Sequence, residues 1–510
     1  MSGALLKRLS LVLFALLLAA CSRQPDKTEL YSDLQTELTQ TYGDALFKIV
    51  DLQRRGTAQD STEPQSQTRR VVYYDVTLQV ERDVELGGWD QPGVASLVTL
   101  LGAGSRGVVG VKSGGNEAGD LIEAHGSAIY RKEGSNWTFV TPPGLTSAVA
   151  PSYETGVSQP VSRQLLGTLN EITQSVVNRG STAAQQVLQQ ELQRSVARID
   201  GRLARMQQGY PLAGGPEQGE YAAFAQALGQ IGREQGVRVA ALTTGGSVEN
   251  IGLLRSGDAV LAIAQADTAR LAYEAQGPFE SQGQFAQIRA LGSLYPEMVH
   301  IVVRDDAGLN QIADLKGKTL AMGPSGSAIR TTLTAVLAAH GLQAGVDYEA
   351  SDLPFAASLP VLNRGGIDAT VHIIGVPARL LRDALAEASL KLLPLERDAI
   401  QQVVTSNPVL IPLNIAAGTY PGQRESIPTV GMAALLLSTD VITRDEARRI
   451  TEVLYESGND LLEQGSAQGA QVSIQNARRG LSVPLHAGSQ EALLDLENVQ
   501  RLRAAEKQAP

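Results

Sequence analysis

From Val237 onward, short β-branched runs alternate with helical stretches, and this alternation constrains the fold more than any other feature of the chain. Parallel strands cannot be joined by tight turns and need a crossover, normally a helix, so the pattern predicts a parallel sheet covered by helices. The strand candidates are residues 237–242, 259–264, 299–303, 319–322 and 369–374. Between Ser327 and Ala339, the apolar Ile329, Leu333, Val336 and Leu337 fall on one helix face that Gly341 can terminate. Sheets of this kind bind ligands beyond the carboxyl ends of their strands, where loops meet helix N-termini.

Three such loops carry candidate site residues. Gly323, Pro324, Ser325, Gly326 and Ser327 lie directly between a strand and a helix. Glycines allow close backbone approach there, and the free N–H groups of a helix start favour a carboxylate or other anion. The same segment also reads as a tight turn with Ser327 as an ordinary N-cap. Residues 243–250 again join strand to helix. In that loop Ser247 and Asn250 offer hydroxyl and amide groups, Glu249 offers a partner for a cation, and Ser247 alternatively caps the helix. Gln265 and Asp267 follow the next strand, lining the same crevice or, for Asp267, capping.

The N-terminal part reads differently. Its 510 residues give the chain room for about three domains or lobes. Apolar residues at 30, 34, 38, 46 and 49 predict a helix over 28–54, stopped at Gly56. Residues 57–68 read as a loop, 71–80 as a strand, and 126–140 as a hairpin turning at 133–136. Residues 161–208 read as a second helical region with a break at Gly180, a connector or stalk. The Gly- and Pro-rich 211–219 marks entry into the large module.

The first residues are an address. Lys7 and Arg8 precede the apolar run 11–20, which is too short to span a bilayer, so residues 1–20 read as a signal peptide. The run ends Leu18-Ala19-Ala20-Cys21, which resembles the lipobox of bacterial lipoproteins, with Cys21, the sole cysteine, as the lipidated residue. Ser22 after it favours the outer membrane under the sorting rule of Gram-negative cells. No other stretch is apolar enough to cross a membrane. A net charge of −10 leaves no broad cationic surface for a phosphate backbone, so nucleic acid is not an expected partner.

Chemistry that would make the chain an enzyme is not apparent. Gly102-Ala103-Gly104-Ser105-Arg106-Gly107 fits a dinucleotide fingerprint, but the β-branched Val108-Val109-Gly110-Val111 that follows cannot open the required helix. His125, His300, His340, His372 and His486 lack metal-site spacing, and no Gly-x-Ser-x-Gly elbow occurs. No cofactor, metal or catalytic residue is expected.

The ordered motifs of the C-terminal part resemble the TAXI family of receptors that serve TRAP transporters. They run from Thr244-Gly245-Gly246-Ser247-Val248-Glu249-Asn250-Ile251 and Leu254-Arg255-Ser256-Gly257 through Ile263-Ala264-Gln265-Ala266-Asp267. Arg289-Ala290-Leu291, Leu294-Tyr295-Pro296-Glu297 and His300 come next. Asp314-Leu315-Lys316-Gly317-Lys318, the 323–327 loop, Gly375-Val376-Pro377-Ala378 and Gly418-Thr419-Tyr420-Pro421-Gly422-Gln423, with Val430-Gly431, complete the order. The resemblance covers about 209–462 and implies an α/β, two-lobed type II periplasmic-binding-protein fold. It also implies a glutamate- or 2-oxoglutarate-like ligand, an organic acid or amino acid, passed to TRAP-type permease subunits. Carried over, it gives Gly219, Glu220, Tyr221, Ser247, Glu249, Asn250, Gln265 and Asp267 to the first lobe. Residues 323–327 with Gly375, Val376 and Pro377 go to the second. Two departures stand out: Gly219-Glu220-Tyr221-Ala222 replaces the family's Gly-Thr-Tyr-Tyr, turning a carboxylate toward the pocket, and Ala328-Ile329 replaces Gly-Thr.

The expected organisation is therefore a signal peptide (1–20), a small α+β domain (22–155), a helical connector (156–208) and a solute-binding module (209–510). Lobe 1 takes 209–300 and 396–510, and lobe 2 takes 301–395. The expected function is that of a lipid-anchored extracytoplasmic receptor, on the periplasmic face of a bacterial membrane. The alternative is a sensing or scaffold lipoprotein that reuses the fold.

Overall fold

The computed structural model describes residues 25, 27–43, 46–59, 69–103, 107–112, 115–133, 136–140, 182–217, 219–325 and 327–507. Cys21, the signal segment, Gly180 and Gly326 lie outside them. The chain divides into two units, Met1–Leu145 with Pro211–Pro510, and Thr146–Tyr210.

In the first unit, α1 (Lys27–Tyr42) is followed by β1 (Phe47–Gln59). The helix expected to run to residue 54 thus ends at Gly43, whose φ of +82° is left-handed and stops the chain from continuing. Leu46 and Ile49 are buried on the strand side of that turn instead. β2 (Arg69–Val80) alternates buried and partly buried residues, as a one-sided sheet requires. After α2 (Val94–Leu100) and β3 (Val108–Val109), β4 (Leu121–Glu133) and β5 (Asn136–Val140) form the expected hairpin, with Glu133 opposite Asn136. The antiparallel sheet runs β1-β2-β4-β3 with β5 on β4. Leu30, Leu34 and Leu38 of α1 and the wholly buried α2 supply its core.

The second unit contains α3 (Thr182–Gln208), where Val196, Ile199, Leu203 and Met206 stand exposed at the spacing of one helix face.

The rest of the first unit is built on a ten-stranded mixed sheet. Its elements begin with β6 (Tyr210–Ala213), α4 (Glu220–Glu234), β7 (Val239–Leu242), α5 (Ser247–Ser256), β8 (Leu261–Gln265) and α6 (Ala266–Glu274). Then follow β9 (Ile288–Arg304), β10 (Lys318–Ala321), α7 (Ala328–Ala339), β11 (Tyr348–Ser351), α8 (Phe355–Asn363), β12 (Ala369–Gly375), α9 (Arg379–Glu387) and β13 (Leu390–Leu392). Last come α10 (Arg397–Ser406), β14 (Ile411–Ile415), β15 (Ile427–Thr439), α11 (Arg444–Glu456), α12 (Gly458–Glu463) and α13 (Ala487–Lys507). The order is β11-β10-β12-β9-β15-β8-β6-β7.

A parallel sheet was expected, and its flanks fit that pattern: β10 is parallel to β11 and β12, and β6 to β8. The centre is two long antiparallel strands, β9 and β15, which pair with each other and with the flanks. The half with β6, β7, β8 and α4–α6 and the half with β10–β12 and α7–α9 share this pair, and β9 runs unbroken through residue 300. At Gly292 (φ +152°) an added Cβ would lie 2.0 Å from Tyr455 Oη, so only glycine lets β9 pass α11. Trp89 is buried among core residues of this large module, while Leu462 and Ala470 join the core of the N-terminal sheet. Among the described residues no helix is long and apolar enough to cross a membrane.

Candidate functional site

The loop before α5 holds itself together. Thr244 bonds Asn250, and Asn250 Nδ2 donates to Ile263 O at 2.7 Å with the side chain wholly buried, so Asn250 ties the loop to β8. Glu249 is exposed and accepts from Gly245 N at 2.6 Å. Ser247, the first residue of α5, accepts from Gln265 N at 3.2 Å and also bonds Tyr221. Of this loop, Ser247 is the side chain facing the next strand end.

Gln265 closes β8 and Asp267 sits in the first turn of α6. Asp267 accepts from Thr268 Oγ1 at 3.0 Å and from Thr332 Oγ1 of α7 at 2.8 Å. The capping reading of Asp267 is not met: the N-cap of α6 is Gln265, and no side chain caps that helix. Burial raises its pKa, and the bonds from Thr332 and Thr268 lower it in part.

Gly219 is the N-cap of α4. Glu220 Oε1 accepts from Arg379 N at 3.0 Å, placing a carboxylate at the N-terminus of α9, where the helix dipole favours it. Tyr221 Oη donates to Glu297 Oε2 at 2.7 Å.

On the opposite half, Gly323 is buried with φ +75°, Pro324 and Ser325 are exposed, and Ser327 caps α7 by accepting from Arg330 N at 3.3 Å. Arg330 reaches back to Gly323 O at 3.1 Å and pairs with Asp352. Gly375 ends β12 against the Tyr295 ring, and Val376–Pro377 is a cis peptide whose Pro377 O accepts from Gln468 Nε2 at 2.9 Å.

Several residues that shape this region were not singled out as site residues from sequence. Glu297 lies mid-strand in β9, 5% exposed, bonded by Tyr221 and Gln265; burial pushes its carboxyl up to about 8, and the neighbouring Asp267 and Glu220 add to the shift. His300 sits between Met298 O and Tyr420 Oη, each 2.8 Å away. Because the Met298 carbonyl can only accept, Nδ1 carries the imidazole proton, and Nε2 of the neutral ring accepts from Tyr420 Oη, which in turn accepts from Ala378 N at 3.0 Å. Burial lowers the His300 pKa to about 4. Glu297 and His300 belong to quoted motifs, but nothing in their spacing says which way a mid-strand side chain points.

Gln265, Asp267, Glu297, Tyr221 and Glu220 thus come together with Gln468 and Tyr295, whereas Asn250 and Glu249 serve the loop. Among the described residues no three His, Cys, Asp or Glu side chains converge as metal ligands. A separate cavity of about 840 Å³ lies between the N-terminal domain and the 385–392 and 417–425 segments, lined by Thr41, Arg131, Phe139, Leu390 and Arg424 among others. None of the expected site residues lines it.

Residues 212–493 match the model of the NMT1-like family, which is more than half of the chain. Solved structures with detectable likeness include the periplasmic aliphatic sulphonate binding protein SsuA from Escherichia coli, at 16% identity over 56% of this chain and 82% of that one, with a TM-score of 0.34. The alkanesulfonate-binding protein SsuA from Xanthomonas axonopodis pv. citri bound to MOPS matches at 19% identity over 58% and 93%, with a TM-score of 0.33. The substrate binding protein of an amino acid ABC transporter matches at 16% over 48% and 91%, with a TM-score of 0.30. Likeness at this level says nothing of a ligand.

Proposed function

Because the chain belongs to the NMT1-like family, we propose that residues 209–510 form a solute-binding receptor whose two halves close on one small molecule. The observation that carries this reading is a set of three hydrogen bonds between the halves: Thr332 to Asp267, Arg379 N to Glu220, and Gln468 to Pro377 O. A ligand touching both sides stabilises only the closed arrangement, which couples capture to shape. In this reading Ser247, Gln265 and Asp267 contact the ligand from one side. The 323–327 loop and the Gly375-Val376-Pro377 turn do so from the other.

At a finer level, the order of motifs supports a TAXI-type receptor that hands an organic acid or amino acid to TRAP-type permease subunits. Lipidation of Cys21 would hold it on the periplasmic face of a bacterial membrane, and Ser22 favours the outer membrane. A second reading, a sensing or scaffold lipoprotein, is favoured by the burial of Trp89 from the N-terminal domain in the core of the large module. Both readings are of binding, with no catalytic step.

Thermal-shift screening of the full chain against amino acids, amines and dicarboxylates tests the receptor reading, because a ligand bound only by the folded state raises the midpoint. At least one class should raise it in a concentration-dependent way. If no small molecule does, the receptor reading is wrong. Membrane fractionation of Cys21→Ala tests the anchor: the variant should leave the membrane fraction.

A further inference from the structure

Building on the receptor reading, we propose that the ligand is held by a primary ammonium group at Glu297, so that the pocket selects amines over plain carboxylic acids.

The side chains around Glu297 are mostly acceptors. Glu297, Asp267 and Glu220 bring three carboxyl groups from β9, α6 and α4 together, close enough that, beside burial, Asp267 and Glu220 raise the pKa of Glu297. They do not converge as metal ligands do, so the cation they suit is a larger one that offers several N–H donors. An acidic cluster alone would be weak ground, but the polar atoms beside it are a second, independent observation. Gln265 spends its amide N–H on Glu297, and no described residue bonds its Oε1. Gln468 donates to Pro377 O and bonds Glu220, and its Oε1 is likewise without a partner. Tyr295 Oη, whose pKa is raised by burial and by the charges of Glu297 and Glu220, is also without one. Gln265 is 2% exposed and Gln468 and Tyr295 are wholly buried, so bulk water does not reach them. Buried polar atoms are normally paired, and two orphan carbonyl oxygens beside carboxyl groups call for a donor rather than an anion.

The charges that bear on this group are mixed in sign. Arg379 and Arg382 of α9 act on Glu220, and Arg270 acts on Asp267, whereas the charged groups that act most on Glu297 are Asp267 and Glu220. An ammonium is therefore drawn to Glu297 rather than to Glu220. A carboxylate placed there would lie beside the acidic Asp267 and Glu220 side chains in a low-dielectric site.

The test is isothermal titration of the full chain at pH 7 with putrescine, γ-aminobutyrate and L-glutamate against succinate and 2-oxoglutarate, in phosphate and in HEPES, neither of which carries a primary amine. Amine-bearing probes should bind and the two plain dicarboxylates should not. The heat should differ between buffers by the release of about one proton, because Glu297 is protonated without ligand and must ionise to hold an ammonium. Glu297→Gln should keep its melting profile and weaken amine binding by about 100-fold or more. If succinate or 2-oxoglutarate binds and the amines do not, the ammonium inference fails and the receptor reading survives. If nothing binds, both fail. Should Glu297→Gln not fold, proton release by the natural chain decides: amine binding without it overturns the inference.

Discussion

Thr332 Oγ1 donates a 2.8 Å hydrogen bond to Asp267 Oδ2, joining the helix that follows β10 to the helix that follows β8. Thr332 is 6% exposed and Asp267 is 2% exposed. Asp267 is the second residue of the helix that follows β8 directly, and Thr332 is the fifth residue of the helix that follows the 323–327 loop. The bond fastens together two sites that the sequence treats as separate loops.

Thr332→Val keeps the shape of the side chain and removes this donor. Asp267 then loses one of the bonds that offset its burial, so its pKa should rise further. The expected loss is about 1–3 kcal/mol by urea unfolding at pH 7. Pairing the change with Asp267→Asn should give less than the sum of the single effects, since the two residues share one interaction. Strict additivity would mean the bond does not form in solution.

Protonation of His300 and His372 should favour the unfolded chain in acid. His300 is neutral in the folded chain down to about pH 4, as is His372, where burial and His300 lower the pKa to about 4. In the unfolded chain a histidine gains its proton near pH 6.5. As pH falls from about 6.5 to 4 the unfolded state therefore binds more protons at these histidines and they favour unfolding, while Glu297, held protonated up to about pH 8 in the folded chain, acts in the opposite sense. His300 alone accounts for a loss on the order of 3 kcal/mol over that range. Denaturant midpoints at pH 7, 6 and 5, compared between the natural chain and His300→Gln, check this: relative to the natural chain the variant should gain stability as pH falls. A difference that stays constant with pH would place the acid sensitivity elsewhere.

How much of this was legible beforehand depends on where a residue's neighbours lie. The flanking strands and α7 were readable because hydrophobic period and loop glycines are local signals. β9 was recognised only at 299–303, although it extends over Ile288–Arg304, because a strand buried on both faces loses its alternation and contains Pro296. β15 was missed for the same reason; its residues 429–439 are buried without interruption. The helix assigned to 28–54 failed because Leu46 and Ile49 continue a helical spacing across Gly43, and a period cannot tell a left-handed glycine from a helical one. Glu297 and Gln468 belong to the site only through contacts with Tyr221 and Pro377, far away in sequence. Ser247 and Asp267 could be named because they sit where strand meets helix, which is a topological rule rather than a chemical one.

Gly292 tests the central pair of strands. A methyl group there would press on the Tyr455 hydroxyl, which donates to Ser293 O at 2.7 Å. The backbone angle disfavours any side chain as well. Gly292→Ala should cost about 2–4 kcal/mol in thermal or urea unfolding. Gly56→Ala, with nothing near its Cβ position, should change stability little by comparison. Equal effects would mean that the close approach of β9 to α11 is not maintained.

Trp89 tests whether the N-terminal domain and the large module stand as one body. The indole is 3% exposed within the large module's core, its Nε1 approaches Gln471 O at 3.4 Å, and the Arg479 guanidinium lies 4.8 Å from the ring centroid. Arg479 also pairs with Asp90 at 2.8 Å, and Asn476 Nδ2 donates to Gly87 O at 3.3 Å, so a single short loop makes all these contacts. Of these, the buried ring removes the most apolar surface, while the partly exposed ion pair is worth about 1 kcal/mol or less. Trp89→Ala should therefore destabilise by about 3–5 kcal/mol, and Asp90→Ala by far less. Because the ring sits between two cores, the larger loss should appear as a separation of the two, with a first unfolding step at lower temperature in calorimetry and faster proteolysis between residues 81 and 93. A single, uniformly shifted transition in Trp89→Ala would mean that the two cores melt together without needing the indole between them.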